Sequence, residues 1–342
     1  MKPLKDLVRK GLWELSPYST ARDEFKGDAS IYLDANELPY NTEWNRYPDP
    51  YQLKLREAFA NYRNIDSENV FAAHGSDEVI DLLIRIFCES HTENIVGITP
   101  SYGMYKVCAE QNLVEYREAL LNPAFGLNSH RINDAIDGET KLIFLCSPNN
   151  PNGNSFELSK VKAIADSFDG IVVLDEAYID FSENKSGLSV LKKTPNLIVL
   201  QTMSKAWGLA SLRIGFAFGS KEIIRLLDKQ KLPYNISKAV ADIAISHIQK
   251  PQLKENYVRK LIKERESLIN KLNQCNDVLR IFHSDANFLL VKFKDSKEVF
   301  EKLKNQGIIL RDRSKLPLCK NCLRISIGTS EENRKLISVL SL

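Results

Sequence analysis

The sequence predicts an α/β protein: a large domain with a mainly parallel sheet covered by helices on both faces, followed by a smaller α+β domain. Three observations carry that expectation. From about residue 68 to 220, six short runs that are apolar throughout alternate with helical stretches: NVFAAHG, NIVGITP, KLIFLCSP, GIVVLDEAY, NLIVLQT and RIGFAFG. Strands without polar alternation are buried on both faces, and parallel neighbours need long crossovers, which SDEVIDLLIRIFCES and LSKVKAIADSF supply with helical periodicity. From about 221 to 274 the pattern is helical and closes on ENYVRKLIKERESLINKLNQ, which has the length of a helix connecting two domains. From about 276 the texture becomes strand–helix–strand: VLRIFHSDANFLLVKF, SKEVFEKLKNQG, IILRD, CLRISIG and a final EENRKLISVLSL helix. The predicted division is an N-terminal arm at 1–30 that packs on the small domain or on a partner, a large domain at 31–274 including the connecting helix, and a small domain at 275–342.

Bulk properties narrow the class. At 342 residues the chain exceeds the size at which single cores stop growing. Its net charge of +3, from 47 basic against 44 acidic side chains, is no nucleic-acid footprint, and no basic run appears. The N-terminus lacks the apolar core of a signal peptide, and no window approaches the roughly 18–20 apolar residues of a membrane span. Six cysteines are too sparse for a disulfide scaffold. The single CxxC, Cys319 and Cys322, lacks a second pair or nearby histidines, so no metal site is predicted. The expectation is a cytoplasmic, reduced protein without nucleic-acid or membrane partners.

Ligands of open α/β sheets bind outside the carboxyl ends of the strands, and four motifs fall there. Gly75, Ser76 and Asp77 follow NVFAAH and open a helix; Asn149 and Asn150 follow KLIFLCSP in SPNNPNG; Asp175 ends GIVVL and begins DEAY; Ser204 and Lys205 follow NLIVLQTM. Each has an ordinary reading on its own. HGSDE is a capped helix start, SPNNPNG a loop, DEAY a strand end with solvated carboxylates, and Lys205 a helix-surface lysine whose stem lies on apolar neighbours. Together they describe one ligand. A helix N-terminus at 75–77, the Ser204 hydroxyl and the Arg213 guanidinium suit a phosphate. Asp175 suits a protonated pyridine nitrogen, Asn150 and Tyr178 a ring oxygen, and the Lys205 amine an aldehyde. That combination is pyridoxal 5′-phosphate. No GxGxxG or GxxxxGK[ST] offers a competing nucleotide loop.

At this point the chain resembles the fold-type-I pyridoxal-phosphate aminotransferases, over essentially its whole length. SPNNPNG, LDEAYIDF and SKAWGLASLRIG carry the superfamily likeness. SPYSTAR, LDANELP, NRYPDP, HGSDEVIDLLIRIF, PSYGMYKV, GIILRD and CLRISIGT are similar to the branch that acts on histidinol phosphate. The resemblance implies that Lys205 bonds the cofactor aldehyde and then moves a proton between the substrate carbon and the cofactor's C4′, that Asp175 pairs with the pyridine nitrogen, and that Tyr178 and Asn150 hold the ring oxygen. It implies that Tyr102 lies against the ring, and that Ser76, Asp77, Ser204 and Arg213 hold the phosphate. Tyr47 would reach that phosphate from the other subunit of a homodimer. Arg324, with Arg311, Tyr18 and Asn36, would bind the substrate end, taking histidinol phosphate in one half-reaction and glutamate or 2-oxoglutarate in the other. From the sequence alone Arg311 and Arg324 are surface arginines and Tyr18 a packing tyrosine. An aromatic amino-acid aminotransferase and a phosphothreonine-type decarboxylase share the same cofactor motifs. Departures from the family's usual residues are Asn152 for threonine, Ser211 for glycine and Trp207 for phenylalanine. None removes a group the chemistry needs.

Overall fold

A computed structural model describes residues 2–16, 19, 21–25, 27 and 29–341. Its larger sheet contains β1 (Val70–His74), β2 (Asn94–Thr99), β3 (Glu115–Leu120), β4 (Thr140–Cys146), β5 (Ile171–Asp175), β6 (Leu197–Thr202) and β7 (Ile214–Phe218). They lie in the order β1-β7-β6-β5-β4-β2-β3. Only β7 runs antiparallel to its neighbours, so β1 and β2 to β6 all point the same way. The apolar runs are explained by their environment: β2, β5, β6 and β7 are buried at every position. One face packs Phe59, Phe216, Phe218 and Trp207, with Phe59 stacked on Phe216 at a centroid distance of 3.8 Å. The other packs Ile80, Leu83 and Phe87 of the Ser76–Phe87 helix against Phe144 and Leu200.

The sequence did not announce β3. Its residues, EYREAL, are largely accessible because the strand lies at the sheet edge, where charged side chains are tolerated and discourage further pairing. The N-terminal segment also differs from expectation. Leu7 and Val8 are buried in the large-domain core, and the Arg9 N–H donates to the Ile86 carbonyl at 2.9 Å. Two consecutive apolar side chains, covering the end of a helix, fix the start of the chain to the large domain rather than to the small one.

The smaller sheet is antiparallel throughout, in the order β10-β11-β9-β8, from β8 (Val278–Ile281), β9 (Phe288–Phe293), β10 (Arg311–Asp312) and β11 (Cys322–Ser326). Of the predicted IILRD strand only Arg311 and Asp312 pair. Leu289, Val291, Phe293, Leu323 and Ile325 form this domain's core with Leu268 and Leu272. Those two leucines end the Pro251–Leu272 helix, whose 22 residues span roughly 33 Å at ~1.5 Å per residue. Near its start, Lys254 is buried against the large domain, donating to the Tyr62 hydroxyl at 2.7 Å and to Asp180 at 3.1 Å. One helix therefore enters both cores.

Two glycines bring β7 against the Ser76–Phe87 helix. A Cβ at Gly215 would lie 2.3 Å from the Ser76 backbone nitrogen, and one at Gly75, where φ is +78°, would lie 2.7 Å from Arg213 Nη2. Gly215→Ala should push the strand off the helix N-terminus, lowering the melting temperature by several degrees and weakening pyridoxal-phosphate binding at least tenfold, as expected for a backbone clash in a packed core. Gly219→Ala, whose Cβ would meet only ordinary contacts at 3.6 Å and beyond, should leave both unchanged. Calorimetry and cofactor titration of the two variants check this.

Candidate active site

Because β1, β4, β5 and β6 are parallel, their carboxyl ends open on one edge of the sheet. The cleft there, about 470 Å³ including the solvent at its open mouth, is lined by Ser76, Asp77, Tyr102, Cys146, Asp175, Ala177, Tyr178, Thr202, Ser204, Lys205 and Arg213. Eight of the sequence-predicted residues thus converge: Ser76, Asp77, Tyr102, Asp175, Tyr178, Ser204, Lys205 and Arg213. Asn150 is buried in the loop after β4, and its Oδ1 accepts from Arg324 Nη1 at 2.6 Å. That bond joins the two sheets at the cleft. The loop holds itself in shape: Asn149 Nδ2 donates to the Pro100 carbonyl at 2.9 Å and to Asn152 Oδ1 at 2.6 Å, while its Oδ1 accepts from Ser101 at 2.8 Å.

One end of the cleft is built for an anion. Ser76 and Asp77 begin a helix whose first N–H groups have no intrahelical partner. Arg213 has a left-handed backbone, φ 54°. From there its Nη1 reaches Ser204 Oγ at 3.3 Å and its Nη2 reaches Asp77 at 3.4 Å. Ser204 is oriented by Thr202: its N–H donates to Thr202 Oγ1 at 3.1 Å, and the Thr202 hydroxyl donates to Ser204 Oγ at 3.0 Å. Tyr102 donates to the other Asp77 oxygen at 3.1 Å.

The opposite end holds Asp175, 3% exposed. Tyr105 Oη donates to its Oδ2 at 2.7 Å and the Ala177 N–H to its Oδ1 at 3.0 Å. Burial nevertheless raises its pKa, outweighing both hydrogen bonds. Lys205 lies at the mouth of the cleft, accessible but flanked by protein on several sides. Desolvation, and then the positive charge of Arg324, lower its pKa, and its amine sits 5.6 Å from the centre of the Tyr178 ring. Tyr178 is buried, which raises its pKa and keeps the phenol protonated.

Tyr105 is the residue that sequence reasoning missed. It stands in PSYGMYKV, but nothing in the sequence distinguishes its ring, buried and stacked on Phe144 at 4.9 Å, from an ordinary core aromatic. Thr202 was missed as well. The chain does not bring every predicted residue to the cleft. Asn36 and Tyr47 lie in the N-terminal segment beside Trp44 and Lys238, where Tyr47 stacks on Tyr234 at 4.6 Å. Glu37 organises that segment, accepting from Arg22 at 2.5 Å, from Arg46 at 2.6 Å and from the Tyr47 N–H at 2.6 Å. Burial alone would raise the Glu37 pKa, but these donors together bring it down to about 2. Arg311 is exposed on β10, opposite Arg324 on β11. Tyr18 lies outside the described residues. All six cysteines are unpaired and buried, including Cys319 and Cys322.

Pyridoxal phosphate fits this donor set. The buried Asp175 carboxylate has no side-chain cation bonded to it among the described residues, and a protonated ring nitrogen would supply one. The helix N-terminus, Ser204 and Arg213 form a separate anion cradle, and the one lysine lining the cleft has a depressed pKa. The chain's relatives agree. Residues 28–340 match the sequence model of the family "Aminotransferase class I and II". A histidinol-phosphate aminotransferase of Bacteroides thetaiotaomicron is 46% identical over 341 residues, covering 99% of each chain. One from Parabacteroides distasonis is 47% identical over 340 residues, again 99% of both. The fold is shared with the crystal structure of histidinol-phosphate aminotransferase from Sinorhizobium meliloti in complex with pyridoxal-5′-phosphate, at a TM-score of 0.80 and 22% identity, over 87% of this chain and 83% of that one. With a cleft of this chemistry at the carboxyl edge of its sheet, and with relatives matching it almost from end to end, the chain belongs to the class I and II aminotransferases.

Proposed function

We propose that this protein transfers the amino group of L-histidinol phosphate to 2-oxoglutarate, giving imidazole acetol phosphate and L-glutamate, in histidine biosynthesis. The observation that carries the choice of substrate is a pair of guanidiniums, Arg311 and Arg324, facing each other across β10 and β11. Neither has a carboxylate within ion-pair distance among the described residues, and Arg324 is bonded to Asn150. Both half-reactions present an anion, a phosphate monoester in one and a dicarboxylate in the other, and arginine pairs suit both. The relatives at 46–47% identity bear the name of this activity. Neither an aromatic amino-acid transaminase nor a decarboxylase is favoured by any contact in the cleft.

Bound pyridoxal phosphate supplies an aldehyde to carry the amino group and an electron sink for the bond that is broken. Asp175 would hold the proton on its ring nitrogen, with Tyr105 fixing the carboxylate in place. Asn150 and Tyr178 would orient the ring through its oxygen, Tyr102 would flank it, and Ser76, Asp77, Ser204 and Arg213 would hold its phosphate. Lys205, lining the cleft, would be the base that takes the proton from the substrate's amine-bearing carbon. A depressed pKa suits that role, since more of the amine is neutral near physiological pH. Arg324 and Arg311, with Tyr18 and Asn36, receive the substrate's anionic end.

The working protein is a homodimer in the cytoplasm, with Tyr47 reaching the phosphate of the neighbouring site. Exposed apolar side chains crowd the segment that carries Tyr47, among them Leu33 at 89% exposure, Tyr40 and Trp44. A second copy would cover them. No helix among the described residues is long and apolar enough to cross a membrane. The chain divides into an arm at 1–30, docked through Leu7 and Val8 on the large domain, the large domain at 31–274 and the small one at 275–342.

Histidinol phosphate should discharge the visible absorbance of bound cofactor in a single half-reaction, with 2-oxoglutarate restoring it. If phenylalanine does so and histidinol phosphate does not, the substrate assignment is wrong, and release of carbon dioxide without need of a keto acid would favour decarboxylation. Lys205→Ala should lose that absorbance and at least a thousandfold of turnover, with an unchanged far-ultraviolet spectrum. Light scattering should give twice the mass of one chain, and Tyr47→Phe should weaken cofactor binding several-fold while leaving that mass unchanged. A monomer with full activity would refute the shared site.

A further inference from the structure

Arg313, two residues beyond Arg311, was given no role in the pocket above. Its backbone N–H donates to the Cys322 carbonyl at 2.9 Å, continuing the pairing of β10 with β11 beyond Asp312. Side chains alternate along a strand, so Arg311 and Arg313 share one face and Asp312 takes the other. Their partners across the ladder locate that face. Leu323, opposite Asp312, packs in the small domain's own core, whereas Cys322 packs with the large-domain cluster. Arg324, opposite Arg311, reaches Asn150 in the large domain. The three arginines therefore face the cleft between the sheets.

None of the three has a carboxylate within ion-pair distance among the described residues, and Arg313 makes no side-chain hydrogen bond there. Its Nε is buried without an acceptor, as is that of Arg324. Arg313 lies close enough to Arg324 and Arg311 for their charges to act on it. Burial first, and then the two neighbouring guanidiniums, lower its pKa. Like charges gathered on one face repel unless an anion joins them. A carboxylate has two oxygens and a single charge, whereas a phosphate monoester has three terminal oxygens and a charge approaching −2 at neutral pH, so it can engage more guanidiniums.

We propose that Arg313 is a third guanidinium of the substrate-anion pocket, which discriminates a dianionic phosphate monoester from a carboxylate. This rests on the assignment of the pocket to histidinol phosphate, and it names the residue that sets the preference within it. Arg324, held by Asn150, would serve both half-reactions, while Arg313 would act chiefly in the one that carries phosphate.

The test uses the holoenzyme with Arg313→Gln and Arg313→Lys. For the glutamine variant, the KM for histidinol phosphate should rise roughly tenfold or more, the loss expected for one charged hydrogen bond, with kcat within about twofold. The inhibition constant of inorganic phosphate should rise in step. The KM for glutamate, and turnover of unphosphorylated histidinol, should move by less than about threefold, and lysine should recover part of the loss. Equal losses with every amine, or unchanged constants for histidinol phosphate and phosphate, would overturn the proposal. Failure of the substrate assignment would show separately, as absent turnover of histidinol phosphate by the unaltered protein, while phosphate inhibition would still report on Arg313.

Discussion

Burying the Asp175 carboxylate at the end of a central strand incurs a desolvation cost that hydrogen bonds relieve only in part. Burial raises the pKa of the neighbouring carboxylate too, yet its surroundings differ. Glu176 is just as buried, but it accepts from Ser186 at 2.5 Å, from the Gly187 N–H at 2.6 Å and from Gln201 at 2.9 Å. It ties a turn to the sheet and faces no ligand. Asp175, on the other side of the same strand, receives two donors and opens on the cleft. Adjacent carboxylates thus play opposite parts because a strand turns successive side chains to opposite faces. Lys205, Ser204, Arg213 and Tyr178 all line the same cleft as that one charge.

Much of this was legible in the sequence because the determinants are local. Unbroken apolar runs mark strands covered on both faces, and in a parallel sheet the residue after each run must lie on one edge. Ser76, Asp175 and Lys205 could therefore be gathered into one site without knowing the strand order. Tyr105 could not, since its role depends on a helix crossing that brings its hydroxyl to a residue 70 positions away. Strand β3 escaped because an edge strand needs no apolar run. Arg313 escaped for a related reason: an arginine on a short strand looks like any surface arginine until its partners across the ladder show which face it occupies.

The two domains meet through specific polar contacts as well as apolar packing. The Asn150–Arg324 bond brings the residue proposed to orient the cofactor ring into direct contact with the arginine proposed for the substrate anion. On the far side, Asp180 lies two residues past Tyr178 and is paired with Arg63 and with Lys254 of the connecting helix. The Lys254 amine also lies 5.2 Å from the ring centre of Trp207, two residues past Lys205. Trp207 replaces the family's usual phenylalanine, and Phe59 and Tyr62 accommodate the larger ring. A shift of the connecting helix would be felt at both Tyr178 and Lys205.

The cysteines carry a consequence of a different kind. All six are buried and unpaired, and desolvation raises the thiols of Cys88, Cys108, Cys146, Cys319 and Cys322, to about 11 for Cys108 and Cys322. Thiolate is the reactive form, so burial should slow these five thiols toward alkylating reagents and mild oxidants. A cysteine introduced on the surface would then react almost alone. Fluorescent or spin labels could be placed one on each domain, and the opening of the cleft followed in solution without first stripping the native thiols from the chain.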